Sequence, residues 1–141
     1  YAMMREVLTD RFTRILKEDP ELRFDFLADV CGGDHYPEEN RFEVVYHLYS
    51  IPFIMRARLK CRAGDPPKVP TVTGVWRTAN WHERETYDMY GIQFDGHPDL
   101  RRIYMWEEFE GFPMRKDFPL KGYKDAYNPF GEDIDAGGRD D

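Results

Sequence analysis

Ala-Asn-Trp-His-Glu-Arg-Glu-Thr-Tyr-Asp-Met-Tyr-Gly-Ile, residues 79–92, is the densest run of chemistry in the chain, inside a longer segment that extends to Pro119. A helix over residues 79–90, closed by Gly91, places Trp81, Arg84, Glu85 and Asp88 on one face at the 100° helical step. An indole beside a guanidinium and two carboxylates is not an ordinary apolar stripe. Arg84 and Asp88 stand at the i,i+4 spacing that lets side chains meet. Such a face suits the centre of a protein–protein interface or a buried ion-pair network.

Upstream of this helix the periodicity is first helical and then strand-like. Met4, Val7, Leu8, Phe12, Ile15 and Leu16 follow a 3.6-residue repeat over residues 3–19, which predicts an amphipathic helix ended by Asp19-Pro20. Leu22, Phe24, Phe26, Ala28 and Val30 then alternate with mostly polar neighbours, a strand with one apolar face. Gly32-Gly33-Asp34 and Pro37-Glu38-Glu39-Asn40 bracket a loop. Phe42, Val44, Tyr46 and Leu48 predict a second strand that turns at Ser50-Ile51-Pro52. In the third, Phe53, Met55, Ala57, Leu59 and Cys61 face the core and Ile54, Arg56, Arg58, Lys60 and Arg62 face away. Cross-strand pairing with Asp25, Asp29 and Glu43 accounts for that row of cations better than a phosphate or nucleic-acid platform does.

Residues 63–70 hold three prolines and predict a linker rather than a strand or helix. Residues 71–76 fit a short helix or an extended piece. Beyond Gly91 the periodicity disappears: glycines and prolines recur too often for regular elements, while Trp106, Phe109, Phe112, Phe118, Tyr123, Tyr127 and Phe130 keep adding rings. Such a segment cannot build its own core and is too aromatic for a free tail, so it reads as an arm that becomes ordered on a partner. The expected fold is α+β: an N-terminal helix, a mainly antiparallel sheet of three or four strands, the helix of residues 79–90 and an extended arm. Residues 1–97 make the core domain and residues 98–141 the arm with its acidic tail.

Composition bounds these readings. A chain of 141 residues with 41% hydrophobic and 16% aromatic content supports one modest core. No apolar run approaches the roughly 18 residues that span a bilayer, and no signal-peptide pattern opens the chain, so attachment to a membrane is expected only through partners. The net charge is -7, but the last ten residues hold five acids against Arg139 alone, leaving a nearly neutral body with no electrostatic case for nucleic acid. Cys31 and Cys61 fit no zinc or iron–sulfur spacing and predict a reduced, disulfide-free chain.

Candidate catalytic groups are weak one by one. His82-Glu83 opens a zincin pattern, yet position 86, where the second histidine belongs, is Thr. Glu83, Glu85, Asp88, Asp95, His97 and Asp99 could supply acid–base chemistry to a hydrolase, but Arg84, Arg101 and Arg102 offer them structural partners. No nucleophile elbow, P-loop or dinucleotide fingerprint is present. His97, in the turn Asp95-Gly96-His97-Pro98-Asp99, is placed to bond backbone or cap the preceding helix.

Trp81-His82-Glu83-Arg84-Glu85-Thr86-Tyr87-Asp88-Met89-Tyr90-Gly91-Ile92, Gly96-His97-Pro98-Asp99-Leu100-Arg101-Arg102-Ile103 and Arg115-Lys116-Asp117-Phe118-Pro119-Leu120 closely resemble the thirty-kilodalton, C-type subunit family of proton-pumping NADH:quinone oxidoreductase, respiratory complex I. The likeness covers residues 22–122, with the family's Glu-Arg-Glu signature at Glu83, Arg84 and Glu85. It departs at Phe112 and Met114, where the family carries His and Leu, and a version shortened before Tyr1 is expected. The resemblance implies a non-catalytic peripheral-arm subunit that scaffolds the large quinone-site (49 kDa-type) subunit beside iron–sulfur subunits. It implies FMN, clusters and quinone in those partners and none here, and a place on the cytoplasmic side of a bacterial inner membrane or the matrix side of the mitochondrial one. On this reading Trp81, Arg84, Glu85 and Asp88 form an anchor network. Asp99, Arg101, Arg102, Arg115, Lys116 and Asp117 pin the arm, and Glu83, Gly91, His97 and Pro98 complete the signature. The equivalent subunit of a membrane-bound hydrogenase or ferredoxin-linked complex is the alternative.

Overall fold

The structure, a computed structural model, describes residues 10–125 and 127–133. Met4, Val7 and Leu8 of the expected first helix, and the tail beyond Asp133, lie outside the described residues. Helix α1 (Asp10–Glu18) ends where Asp19-Pro20 predicts. Its Leu16 packs on the core, while Ile15, expected on the same side, is about half exposed.

Strands β1 (Phe26–Asp34), β2 (Phe42–Ser50) and β3 (Met55–Ala63) form an antiparallel sheet with β2 in the middle. Strand β2 alternates as expected, burying Phe42, Val44, Tyr46, Leu48 and also Ser50. Strand β1 corrects the sequence reading twice. A register shift between Leu27 and Asp29 turns Leu27 inward, 1% exposed, and leaves Phe26 outward at 44%. The strand also runs on through Gly32 and Gly33, read from sequence as loop, because they keep pairing with Val44 and Glu43; a Cβ on Gly32 would stand 2.5 Å from the Tyr90 ring, which glycine alone avoids.

The hairpin beyond β2 also differs. Phe53, expected on the core face, is exposed in the turn, and Ile54 sits at φ 52°, so β3 begins only at Met55. Cys61 and Ala63 are buried, as an inward-facing strand end requires. The expected cross-strand pairing holds only in part. Lys60 Nζ lies 4.0 Å from Glu43 and Arg62 pairs with Glu38 at 3.1 Å, but Asp29 bonds Cys31 Sγ instead of meeting a cation of β3.

The proline-rich linker is not wholly irregular. Lys68–Pro70 forms β4, parallel to β5 (Gln93–Asp95), and buries Val69 against Phe94. Pro70 is tolerated at the strand end because the next donor, the Thr71 amide, continues the ladder to Asp95 O at 2.9 Å. Residues 71–76 make one turn, whose Val72, Val75 and Trp76 join Phe42, Val44, Tyr46, Leu48, Ile92 and Phe94 in the core. Each large side chain buried there contributes about 1.5–3 kcal/mol. Trp76 Nε1 donates to Phe24 O at 3.0 Å, which satisfies its polar end.

Helix α2 (Ala79–Tyr90) matches the expected span and ends at Gly91, whose φ of 75° is the left-handed cap and whose amide donates to Tyr87 O. It lies along the outer edge of β1. Thr78 and Thr86, eight residues apart on one stripe, donate to Leu27 O at 3.2 Å and Val30 O at 3.4 Å. Between them His82 Nδ1 stands 3.2 Å from Asp29. The hydroxyls therefore occupy acceptors that an open edge strand leaves free.

Candidate functional site

The three acids of α2 meet three different fates. Glu83 is fully buried and accepts hydrogen bonds from Thr71 Oγ1 at 2.5 Å and the Val72 amide at 2.8 Å, with His97 Nε2 at 3.9 Å. Burial pushes its carboxyl up to about 7 against the opposing pull of those two donors. His97 itself bonds backbone, with Nε2 3.1 Å from Asn80 O and Nδ1 accepting from the Asp99 amide at 3.0 Å. Glu83 thus ties the turn after β4 to the helix.

Asp88 fastens the arm. Its side chain is fully buried and accepts from Arg102 Nε at 2.7 Å and from the amides of Ile103, Tyr104 and Met105 at 3.2, 2.6 and 3.0 Å. Burial raises its pKa, but these four donors outweigh it and hold the carboxyl below its ordinary value. The Arg84–Asp88 pair expected from i,i+4 spacing therefore does not form, because Asp88 turns into the arm. Arg84 lies instead 5.7 Å over the Trp81 ring and donates to Arg101 O at 3.4 Å.

A second fastener is one that sequence reasoning misses. Asp34, at the end of β1, holds Arg41 in a two-pronged pair at 2.6 and 3.0 Å, and Arg41 reaches on to Asp117 of the arm at 3.0 and 3.3 Å. Asp34 also accepts from the Tyr36 and Lys116 amides. Burial acts to raise its pKa, and the guanidinium and amides overcome this and bring it to about 2. Between the two fasteners Arg115 Nε donates to Tyr90 O at 2.7 Å and the Met114 amide to Met89 O at 3.0 Å. The Arg115 guanidinium stacks on Phe42 and Phe112.

Held this way, residues 98–133 carry no helix or named strand among the described residues, yet they pack on their own chain. Trp106 meets Phe109 and Tyr127, Phe109 meets Phe118, and Phe118 meets Tyr123, at centroid distances of 5.0 to 6.0 Å. No described residue of the arm is buried, so these ring contacts do not amount to a core of its own, as the sequence predicts. What stays outside is apolar: Tyr104, Trp106, Met114, Leu120, Tyr127 and Phe130 are exposed, and so is Trp81, whose ring meets Tyr104 edge-on at 6.5 Å. Glu85 lines a groove of about 300 Å³ with Cys31, Met89 and Met114. Burial and the neighbouring Asp29 and Glu85 carboxylates push the Cys31 thiol up to about 11. Asp99 and Arg101 pair with each other on the surface at 3.1 Å, beside the exposed Pro98, and touch neither fastener. Among the described residues no three His, Cys, Asp or Glu side chains are grouped to hold a metal ion, and no helix is long and apolar enough to cross a membrane.

The family model described as "Respiratory-chain NADH dehydrogenase, 30 Kd subunit" matches residues 4–124. The chain belongs to this 30 kDa subunit family. A C-type subunit of the NADH-quinone oxidoreductase of Rhizobium meliloti (strain 1021) is 75% identical over 120 residues, covering 85% of the chain and 66% of that protein. The corresponding NADH-quinone oxidoreductase subunit of Azorhizobium caulinodans is 51% identical over 113 residues, covering 80% and 54%. The chain thus spans between half and two thirds of the length of these relatives. Among solved structures, a chain of the membrane-bound sulfane sulfur reductase, an archaeal respiratory membrane complex, superposes with a TM-score of 0.66 at 29% identity, covering 79% of this chain and 66% of that one. In this member of the 30 kDa family the run Glu83-Arg84-Glu85 divides between interior and surface. Glu83 faces inward, and Arg84 and Glu85 remain partly exposed.

Proposed function

We propose that the chain is a peripheral-arm subunit of a proton-translocating NADH:quinone oxidoreductase and that it works as a scaffold between the large quinone-site subunit and the iron–sulfur subunits. The observation that carries this reading is the exposed aromatic surface of an arm fastened by buried carboxylates. Large rings and arginine are the residues that anchor interface centres, and fixing them beforehand lowers the entropy lost on association. Trp81, Arg84, Glu85, Asp99 and Arg101 make the partner-facing contacts. Asp88, Arg102, Arg115, Lys116 and Asp117, with Asp34 and Arg41, hold the arm in the shape that presents them.

In this reading flavin, clusters and quinone reside in the partners, and the chain reaches the cytoplasmic face of a bacterial inner membrane through them. Enclosure of Glu83 and the full set of donors around Asp88 support a structural use of the two carboxylates. The solved relative supports a second reading, the equivalent subunit of another membrane-bound redox complex.

Purification of the tagged chain from mildly solubilised membranes of its source tests both. A flavin-containing NADH module recovered with the quinone-site subunit is the expected outcome. Cluster subunits without that module favour the second reading, and a lone chain refutes both. Arg84→Ala is expected to leave the melting temperature within about 2 °C, as an exposed substitution does, and to reduce co-purification at least severalfold. Full co-purification of a variant that melts much earlier would remove Arg84 from the interface.

A further inference from the structure

The two edges of the main sheet are treated differently. The β1 edge is covered by α2, whose threonines bond its carbonyls. On the other side, no described residue pairs with β3 except those of β2, and β4 touches β3 without forming a ladder. Residues 55–60 thus present backbone with one side open, while Cys61 and Ala63 at the end of the strand are buried. Arg56 and Arg58 have no carboxylate within ion-pair distance among the described residues, and the Arg56 guanidinium rests 5.6 Å over the Tyr49 ring. On the outer face of the sheet, across all three strands, a hollow of about 600 Å³ is walled by Phe26, His47, Tyr49 and these two arginines. At the adjoining turn Ile51, Phe53, Ile54 and Met55 are all exposed, Ile54 at 79%.

Cations on an edge strand are a common guard against aggregation. A guard alone does not explain an exposed apolar tip continuous with the cations, the kind of surface that marks an interaction site. We propose that β3 is a docking edge for an extended segment of a second protein subunit, one that carries carboxylates opposite Arg56 and Arg58 and an apolar side chain against the tip of Ile51, Phe53 and Ile54. This rests on the reading of the chain as a subunit of a complex, and adds a second contact surface to the arm. Strand addition supplies backbone hydrogen bonds, and alternate side chains supply specificity. A second copy of this chain is the wrong occupant: β3 against β3 sets arginine opposite arginine, which cross-strand pairing disfavours.

The test places a photo-reactive p-benzoylphenylalanine at position 53, in the exposed apolar tip, of the full chain, expressed in its source, with irradiation of the intact complex and mass identification of the adduct. The expected adduct lies on one partner subunit, in a segment where acidic and apolar residues alternate. Amides of residues 55–60 should exchange more slowly in the complex than in the free chain. Arg56→Glu with Arg58→Glu, checked for an unchanged circular dichroism spectrum, should weaken the adduct about tenfold, and high salt should weaken the wild-type adduct. Adducts confined to lipid, to a second copy or to a segment without acids overturn the proposal. So does unchanged exchange in a chain that still co-purifies with its partners, which leaves the subunit reading standing. A chain recovered alone removes both.

Discussion

Replacing Asp88 by Ala is the sharpest test of the carboxylate fasteners. The side chain is fully buried and receives four donors, one a guanidinium that is itself only 11% exposed. Removing one member of a buried pair costs about 3–5 kcal/mol, and each amide left without an acceptor adds about 1 kcal/mol or more where water cannot reach it. Arg102 keeps its bonds to the carbonyls of Asp88, Phe109 and Gly111 and its stacking on Phe109 and Phe112, so the loss falls at the low end. We expect about 3 kcal/mol, or roughly 10 °C in melting temperature for a chain of this size. Asp88→Asn, which keeps volume and one acceptor but brings its NH2 group against the amides, should fall between Ala and wild type. Thermal and urea unfolding of the whole chain at pH 7 give the global cost, and amide exchange at residues 103–105 and 114 shows whether the arm opens first. A loss under about 1 kcal/mol with unchanged exchange at residues 103–105 would refute the role given to Asp88.

Three further outcomes follow from named contacts. Glu83 has a folded pKa of about 7, above its ordinary 4.5, so its contribution is complete below about pH 4.5 and disappears as pH rises towards 7. That is about 3 kcal/mol in a urea titration across this range, and Glu83→Gln should flatten it. Asp34 has the opposite sign: lowered from 3.8 to about 2, it contributes above about pH 3.8 and loses about 2 kcal/mol as pH falls to about 2. Asp34→Asn should remove that acid-side step. Gly32→Ala places a methyl 2.5 Å from the Tyr90 ring and 3.0 Å from the Thr86 methyl, and should cost about 1–3 kcal/mol by calorimetry; a neutral result would mean that α2 shifts freely along β1.

Legibility in the sequence follows the range of the forces involved. Helix α2 and its Gly91 cap are local, set by four-residue spacings and one left-handed residue, and are legible to the residue. Strand β2 is equally plain, because a central strand with one buried face must alternate. Strand β1 misleads because a bulge exchanges the faces, which period-two counting cannot anticipate. Strand β4 is hidden by prolines whose cost is offset by a parallel partner some 25 residues later. The Arg41–Asp117 contact joins residues 76 apart, and nothing in the spacing of either announces it. Within the signature, residue types point to a charged network, but which acid turns inward depends on where donors arrive from other segments.

The buried acids share a physical logic. A segment without helix or strand still carries one N–H per residue, and each must find an acceptor wherever water is excluded. A carboxylate offers about four acceptor sites on two oxygens, more than any backbone carbonyl. Asp88 gathers three successive amides of the arm, Asp34 takes the Tyr36 and Lys116 amides together with a guanidinium, and Glu83 takes the Val72 amide and the Thr71 hydroxyl. Each acid therefore does for an irregular segment what a neighbouring strand does for a regular one. Because backbone and arginine donors are met inside, the arm does not have to bury its rings to be ordered, and Tyr104, Trp106, Tyr127 and Phe130 stay at the surface. A fastened arm that keeps these rings at the surface thus follows from where three carboxylates point.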